Sequence, residues 1–346
     1  MYSDTFITLG QIFKSAADGS DSGFCTYVSA LNDAVIPAMG ANGWFSSDFV
    51  KMQFQSLAEM LREDSVRAFS KKYSLDNVPL SNKKVKIIAA GNIPLVCFHD
   101  IFCVLSAGLR LVLKPSSKDK VLPMTVLGIL KNLSPELGSR IEVEDDQRID
   151  FDAIIATGSN NSGRYFDYYF AKYPHIIRRN RSSVAVLSGN ESEEDYRLLA
   201  EDVFAYYGLG CRSVSKIFVP KGFDYDVFFK NIFFKSSVIS NAKYSDNYTY
   251  NKAVYLMGGE KFLDNGFLLL KTDSSLSSPV AVLFCEEYQS LQDLGCYLAQ
   301  NTESLQCVVS KADIQGVKTV PLGQSQHPSI FDFADGVDTI EFIKTL

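Results

Sequence analysis

The sequence is poor in the residues that announce a metal site. Its three histidines, His99, His175 and His327, lie far apart, and neither H-E-x-x-H nor C-x-x-C occurs, so no metal is expected. No apolar stretch approaches the roughly 20 residues that cross a bilayer. KVKIIAAGNIPLVCF, for example, is apolar but too short, and no membrane span is expected. A surplus of positive charge is also missing. The formal net charge is −6, which gives no footprint for nucleic acid or an anionic membrane. The opening MYSDTFITLGQIFK lacks a basic start, a long apolar centre and a small-residue cleavage site, so no secretory signal is expected. Seven cysteines (Cys25, Cys97, Cys103, Cys211, Cys285, Cys296 and Cys307) are odd in number and irregular in spacing. They read as reduced thiols of a cytoplasmic protein, not as a disulfide framework.

What is present is enough chain, 346 residues, for a large core and two domains. Residues 1–43 hold glycines and short apolar clusters with no clear period. From Trp44 to Tyr73 the spacing predicts helix, with Ser46 or Ser47 as N-cap and a second helix starting near Asp64. Strands then alternate with helices: KKVKIIAAGNIPL, HDIFCVLSAG, RLVLKPS, VLPMTVLGILKNL, RIEVED, FDAIIATGS, GRYFDYYFAKY and SSVAVLSG. That alternation predicts an α/β fold with a parallel sheet covered on both faces. A second unit follows, with the acid-led helix ESEEDYRLLAEDVFAYYG, the strand SKIFVP and the helix DYDVFFKNIFF. Further strands are KAVYLMGG, GFLLLKT, PVAVLFCE and LQCVVSK, and SLQDLGCYLAQN is a helix. The aromatic clusters YFDYYF and DVFFKNIFF read either as core or as lining for an apolar ligand.

Four short stretches carry candidate chemistry, and each has two readings. In DAIIATGSNNSGRYF, Gly158, Ser159 and Gly163 mark a strand-to-helix turn, which either cradles a phosphate or is only a tight turn. In RLVLKPSSKD, Lys114 ends a strand, where it reaches a nucleotide or simply meets solvent. In AAGNIPL, Asn92 either donates its amide to an oxyanion or caps its own turn. In FAYYGLGCRSVSKIFVP, Cys211 follows two glycines. It is either a nucleophile, with Arg212 adding positive potential, or a small packing residue.

Taken in order, GNIPL, LVLKPSS, IATGSNNSGR and FAYYGLGCRS resemble successive motifs of the aldehyde dehydrogenase superfamily: the asparagine motif, K-P-S-E, T-G-S-x-x-x-G and G-Q-x-C. SSPVAVLFCEEYQSLQDLGCYLAQNTESLQCVVSK is similar to that superfamily's G-P-V segment and beyond. Within the superfamily, GWFSSDFV, AAGNIPLVCFHDIFCVLSAG and PLGQSQHPSIFDFADGVDTIEFI resemble the LuxC-like acyl-CoA reductases, the fatty-acid reductase component of bacterial luminescence. The resemblance runs from Trp44 to the C-terminus.

The resemblance implies two α/β lobes, each with a mainly parallel sheet, and a cofactor and catalytic cleft between them. Residues 1–185, completed by 325–346, correspond to the nucleotide-binding lobe, and 186–324 to the catalytic lobe. It makes Cys211 the nucleophile and Asn92 an oxyanion donor. It assigns Ala90, Gly91, Lys114, Ser116, Ser117, Gly158, Ser159 and Gly163 to the cofactor. The activity implied is reduction of an acyl-CoA or other acyl thioester to the aldehyde through an acyl-cysteine, in a homo-oligomer. Two departures sharpen this. The family glutamate that activates water falls in IIRRNRSSVAV, which has no acid, and this suits transfer between thiols rather than hydrolysis. The glutamate of K-P-S-E is replaced by Ser117, with Lys118 and Lys120 nearby, which favours NADPH over NADH. The glutamate before G-P-V falls near Ser275, so that contact to the nicotinamide ribose is not carried over. No base for Cys211 is evident; His99 is the nearest histidine to the Asn92 motif. The alternatives are a superfamily reductase of acyl phosphate or acyl carrier protein, and a non-catalytic nucleotide-binding subunit.

Overall fold

The computed structural model describes residues 2–21, 23–145, 147–158 and 160–346, with 160–162 described by backbone alone. The chain divides into two compact units, Met1–Asn180 with His327–Leu346, and Arg181–Gln326.

The first unit opens with four helices: α1 (Ser3–Asp18), α2 (Cys25–Ala41), α3 (Ser47–Met60) and α4 (Glu63–Tyr73). The first two occupy the stretch whose period was unreadable. Gly10 interrupts the apolar stripe of α1 because a Cβ there would lie 2.8 Å from the Cβ of Leu61. Pro37 sits inside α2. Ser46 caps α3, its hydroxyl accepting the N–H of Phe49 at 3.2 Å.

Then come β1 (Lys84–Ile88), α5 (Phe98–Ser106), β2 (Arg110–Lys114), α6 (Val121–Leu133), α7 (Pro135–Gly138), β3 (Ile141–Val143), β4 (Ala153–Thr157), α8 (Asn160–Phe170) and β5 (His175–Arg178). The described residues form a parallel sheet of order β3-β2-β1-β4-β5. Side chains alternate between its faces. Val85, Ile87, Leu111, Leu113, Ala153 and Ile155 join the main core, while Ile154 and Ala156 meet Phe151, Phe166 and Phe170 on the other side. Strand β5 was not anticipated, because HIIRRNR looks too basic to be buried.

The second unit contains β6 (Ser182–Val186), α9 (Glu193–Phe204), β7 (Val214–Pro220), α10 (Tyr225–Ile232) and α11 (Ala242–Met257). It continues with β8 (Leu263–Asp264), β9 (Leu269–Thr272), β10 (Val282–Tyr288), α12 (Leu291–Gln300), β11 (Leu305–Ser310) and β12 (Thr319–Val320). Its sheet runs β12-β11-β6-β7-β10-β9-β8, parallel except for the β8–β9 pair. One expectation is corrected here: KAVYLMGG is not a strand but the C-terminal part of α11 and its cap. The buried stripe of that helix runs through Tyr244, Asn251 and Tyr255, at helical spacing but without aliphatic residues. Asn251 is tolerated inside because its amide donates to the carbonyl of Val280 at 3.0 Å.

The chain returns to the first unit as α13 (Thr339–Lys344), capped by Asp338 and burying Ile340 and Ile343. Its docking is polar as well as apolar. Arg178, at the end of β5, forms a buried ion pair with Asp100 of α5, with Nη2 to Oδ1 at 2.7 Å, and also reaches the hydroxyl of Thr339 at 3.3 Å. Removing one partner of such a pair leaves a buried charge alone. Arg178→Met is expected to cost the first unit roughly 3–5 kcal/mol, read from urea unfolding at neutral pH. A loss below about 1 kcal/mol would show that the pair does not hold β5, α5 and α13 together.

Candidate active site

Two separate sets of polar residues emerge, one in each unit. The first lies at the carboxyl edge of the five-stranded sheet. Register places Ile88 of β1 beside Lys114 of β2 and Ala156 of β4. The loops after these strands therefore open on one edge. The connections diverge between β1 and β4, which is where open α/β sheets bind ligands.

Gly91 is required there by close approach. A Cβ on it would stand 2.5 Å from Ser116 Oγ and 3.0 Å from the Cβ of Lys118. Its carbonyl accepts the amide of buried Asn42 at 2.9 Å. Ala90 is half-buried, and Asn92, Ser117 and Lys118 are exposed. Lys114 is exposed, its Nζ 3.6 Å from Glu144. Glu144 is already bonded by Lys86 at 2.7 and 2.6 Å and by the Ile149 N–H. Burial works to raise the Glu144 carboxyl, but the Ile149 N–H and the lysines hold it below the usual carboxylate range. Lys120 is paired with Asp145 at 2.9 Å. Gly158 follows β4, with its N–H on the Arg178 carbonyl at 3.3 Å. Gly163 is buried one turn into α8, where a Cβ would lie 3.2 Å from the Cγ of Arg179. Ser159 lies outside the described residues. The structure thus gathers Ala90, Gly91, Asn92, Lys114, Ser116, Ser117 and Gly158 at one sheet edge, with Gly163 packed under the helix that follows.

Sequence reasoning missed Asp119 at this edge. Its Oδ2 accepts the N–H of Leu95 at 2.7 Å, while its buried Oδ1 has no hydrogen-bond partner. Leu95 has a left-handed backbone, φ 53°. Asp119 therefore ties the loop after β1 to the loop after β2. Burial raises its carboxyl to about 7, against the opposing pull of the Leu95 N–H. Nothing in SSKDK signals that this one charged residue points inward.

The second set lies at the amino edge of the other sheet. α9 ends at Phe204, and Tyr206, Tyr207 and Gly208 then take left-handed conformations, φ 51°, 57° and 77°. This brings Cys211 onto a turn before β7. Cys211 is exposed, as are Cys25 and Cys296, whereas Cys97, Cys103, Cys285 and Cys307 are buried. Burial pushes the thiols of Cys97, Cys103 and Cys285 up. Ser183 of β6 donates its hydroxyl to the Cys211 carbonyl at 2.8 Å, and its Oγ lies 3.0 Å from Cys307 Sγ. Ser213 Oγ donates to the Ala205 carbonyl at 3.2 Å and accepts the Gln326 amide at 3.2 Å. Arg212 is directed to the carbonyl of Ser325 at 3.4 Å. Asp202 of α9 accepts the N–H groups of Gly323 and Ser325, and burial raises it to about 6. The available signal for Asp202 was an acid on the apolar face of α9.

The remaining histidines and aromatic clusters are placed as follows. His99 bonds the Ile330 carbonyl at 2.9 Å and stacks with Phe102, and His175 bonds the Tyr173 carbonyl. The aromatic clusters divide. Phe228 is buried while Phe233 and Phe234 are exposed, and Tyr165, Tyr168 and Tyr169 face solvent. Among the described residues no group of His, Cys, Asp or Glu could hold a metal, and no helix is long and apolar enough to cross a membrane.

No family model and no curated protein sequence matches the chain. Solved structures do match. An oxidoreductase from Marinobacter aquaeolei superposes with a TM-score of 0.69 at 12% identity, over 94% of this chain and 79% of that one. Aldehyde dehydrogenase 21 from Physcomitrella patens, solved with its reaction product succinate, gives 0.65 at 11% identity, over 97% and 83%. An aldehyde dehydrogenase from Bacillus cereus, solved with NAD+, gives 0.60 at 12%, over 88% and 71%. The chain has the aldehyde dehydrogenase-like fold.

A carboxyl whose folded value lies above its unfolded one stabilises the fold while protonated and loses that contribution as pH rises through the folded value. For Asp119 the window runs from about 4 to about 7. Asp119→Asn keeps a carbonyl for Leu95 and removes the buried charge. Its unfolding free energy is expected to exceed that of the natural protein increasingly from pH 5 to pH 8, by up to about 4 kcal/mol, read from urea unfolding. A difference that stays flat with pH would contradict this account of Asp119.

Proposed function

We propose that the protein is an aldehyde-forming acyl-thioester reductase that works through an acyl-cysteine on Cys211. The observation that carries the reading is an exposed thiol that follows a left-handed turn at residues 206–208, with its own carbonyl and the next residue hydrogen-bonded, in a chain with the aldehyde dehydrogenase-like fold. Most thiols buried for packing are inert, and this one is not buried.

The Cys211 thiolate attacks the thioester carbonyl, the bond to the carrier sulfur breaks, and the carrier thiolate leaves with the electron pair. The oxyanion is assigned to the backbone N–H of Cys211. Gly91, Lys114 and Ser117 of the first unit would hold a nicotinamide cofactor, which would supply the hydride needed to reach the aldehyde level. The C–S bond to Cys211 then breaks, and the sulfur recovers its electron pair. Residues 176–186, IIRRNRSSVAV, offer no carboxylate to activate water, so the acyl group is kept for transfer or reduction.

The sheet edge of the first unit fits such a cofactor. Gly91 leaves backbone where a side chain would intrude, and Lys114, Ser117 and Lys118 are exposed beside it. The neighbouring carboxylates Glu144 and Asp145 are held by Lys86 and Lys120, so neither of these two opposes a 2′-phosphate. This supports NADPH. An acyl-phosphate substrate is less well served, because Arg212 is already directed to the Ser325 carbonyl.

The test is NADPH and NADH oxidation with acyl-CoA substrates of graded chain length. Cys211→Ala is expected to lower thioester-dependent oxidation by about 10³-fold or more while the nucleotide Kd stays within about threefold. Survival of the activity in this variant refutes the covalent route. Gly91→Ala is expected to raise the nucleotide Kd about tenfold, because its Cβ meets Ser116; an unchanged Kd separates the cofactor from this edge.

A further inference from the structure

Asp202 sits in the last turn of α9, 1% exposed and on the helix's buried face. Its bonds lead toward Cys211. Its two oxygens take the N–H groups of Gly323 at 2.6 Å and Ser325 at 3.0 Å. Gly323 is pressed onto the same helix, since at φ 77° a Cβ on it would lie 2.7 Å from Leu198 Cδ2. The segment 323–326 docked in this way holds the two residues that follow Cys211. The Ser325 carbonyl accepts from Arg212, and the Gln326 amide donates to Ser213.

We propose that Asp202 is a positioning residue for Cys211, acting through the segment 323–326; the inference rests on Cys211 being the nucleophile. The reason is strain. Tyr206 and Tyr207 adopt a backbone region unfavourable to residues with a Cβ, and such a turn persists only where its surroundings over-determine it. Asp202 is the point at which those surroundings are fixed to α9. A carboxylate suits the task because it accepts two N–H groups at once. An asparagine offers one acceptor and turns its own donor toward the second N–H.

The readout is alkylation by iodoacetamide at fixed pH, followed peptide by peptide by mass spectrometry. Cys296, exposed on α12 and outside the segments 202–213 and 323–326, serves as internal reference. In Asp202→Asn the ratio of Cys211 to Cys296 alkylation is expected to fall about fivefold or more, with the Cys296 rate unchanged. Acyl-CoA reduction is expected to lose kcat while KM stays within about twofold. A ratio within about twofold of the natural protein's, in a folded Asp202→Asn chain, overturns the proposal. Should that variant not fold, Gln326→Ala decides. It leaves both Asp202 bonds in place and removes the link to Ser213, so a fallen ratio supports the proposal and an unchanged one overturns it. Alkylation needs no substrate. A fallen ratio without any reductase activity would therefore remove the functional reading and leave the clamp standing.

Discussion

Where the chain leaves α9 it must turn sharply and still enter β7 with Val214 opposite Ser183 of β6. Three consecutive left-handed residues make that turn, and two of them are tyrosines. Each such tyrosine costs on the order of 1–3 kcal/mol. The Ser183 hydroxyl on the Cys211 carbonyl, the Ser213 bonds to Ala205 and Gln326, and the Arg212 bond to Ser325 offset that cost at about 1 kcal/mol each. The outcome is an exposed thiol in a defined place. Unlike a ligand site of an open parallel sheet, it lies at the amino edge, so its position comes from the turn and its clamps rather than from strand ends.

The first unit solves a different problem. Its sheet is buried on both faces, so polar chemistry is confined to the edge where strands end. Gly91 lets the loop after β1 lie directly on Ser116, and Asp119 ties the two loops together across that contact. The lysines that end and follow β2 meet carboxylates at the end of β3, and this fixes which charges remain open. Two buried ion pairs lie near those strand ends, Lys86 with Glu144 and Arg178 with Asp100, and each joins segments distant in the sequence.

Much of this was legible in the residues. The alternation of strands and helices announced the parallel sheets, and the four motifs fell on strand ends and on the Cys211 turn. What escaped was information that a local period does not carry. Gly10 and Pro37 masked α1 and α2, because helices tolerate them only where packing requires or permits it. The buried stripe of α11 is written in Tyr244, Asn251 and Tyr255, so its end, KAVYLM, looked like a strand. Asp119 and Asp202 escaped because an inward-pointing acid is recognised by its partners, and those partners are backbone N–H groups of distant segments.

The account stands on a covalent bond between an acyl group and one sulfur. Incubating the protein with an acyl-CoA and no nucleotide, then digesting and weighing the peptides, tests that bond directly. The expected result is a mass increase equal to the acyl group on the peptide containing Cys211, discharged as aldehyde when NADPH is added. Label on another residue, or turnover without any label on Cys211, would contradict it.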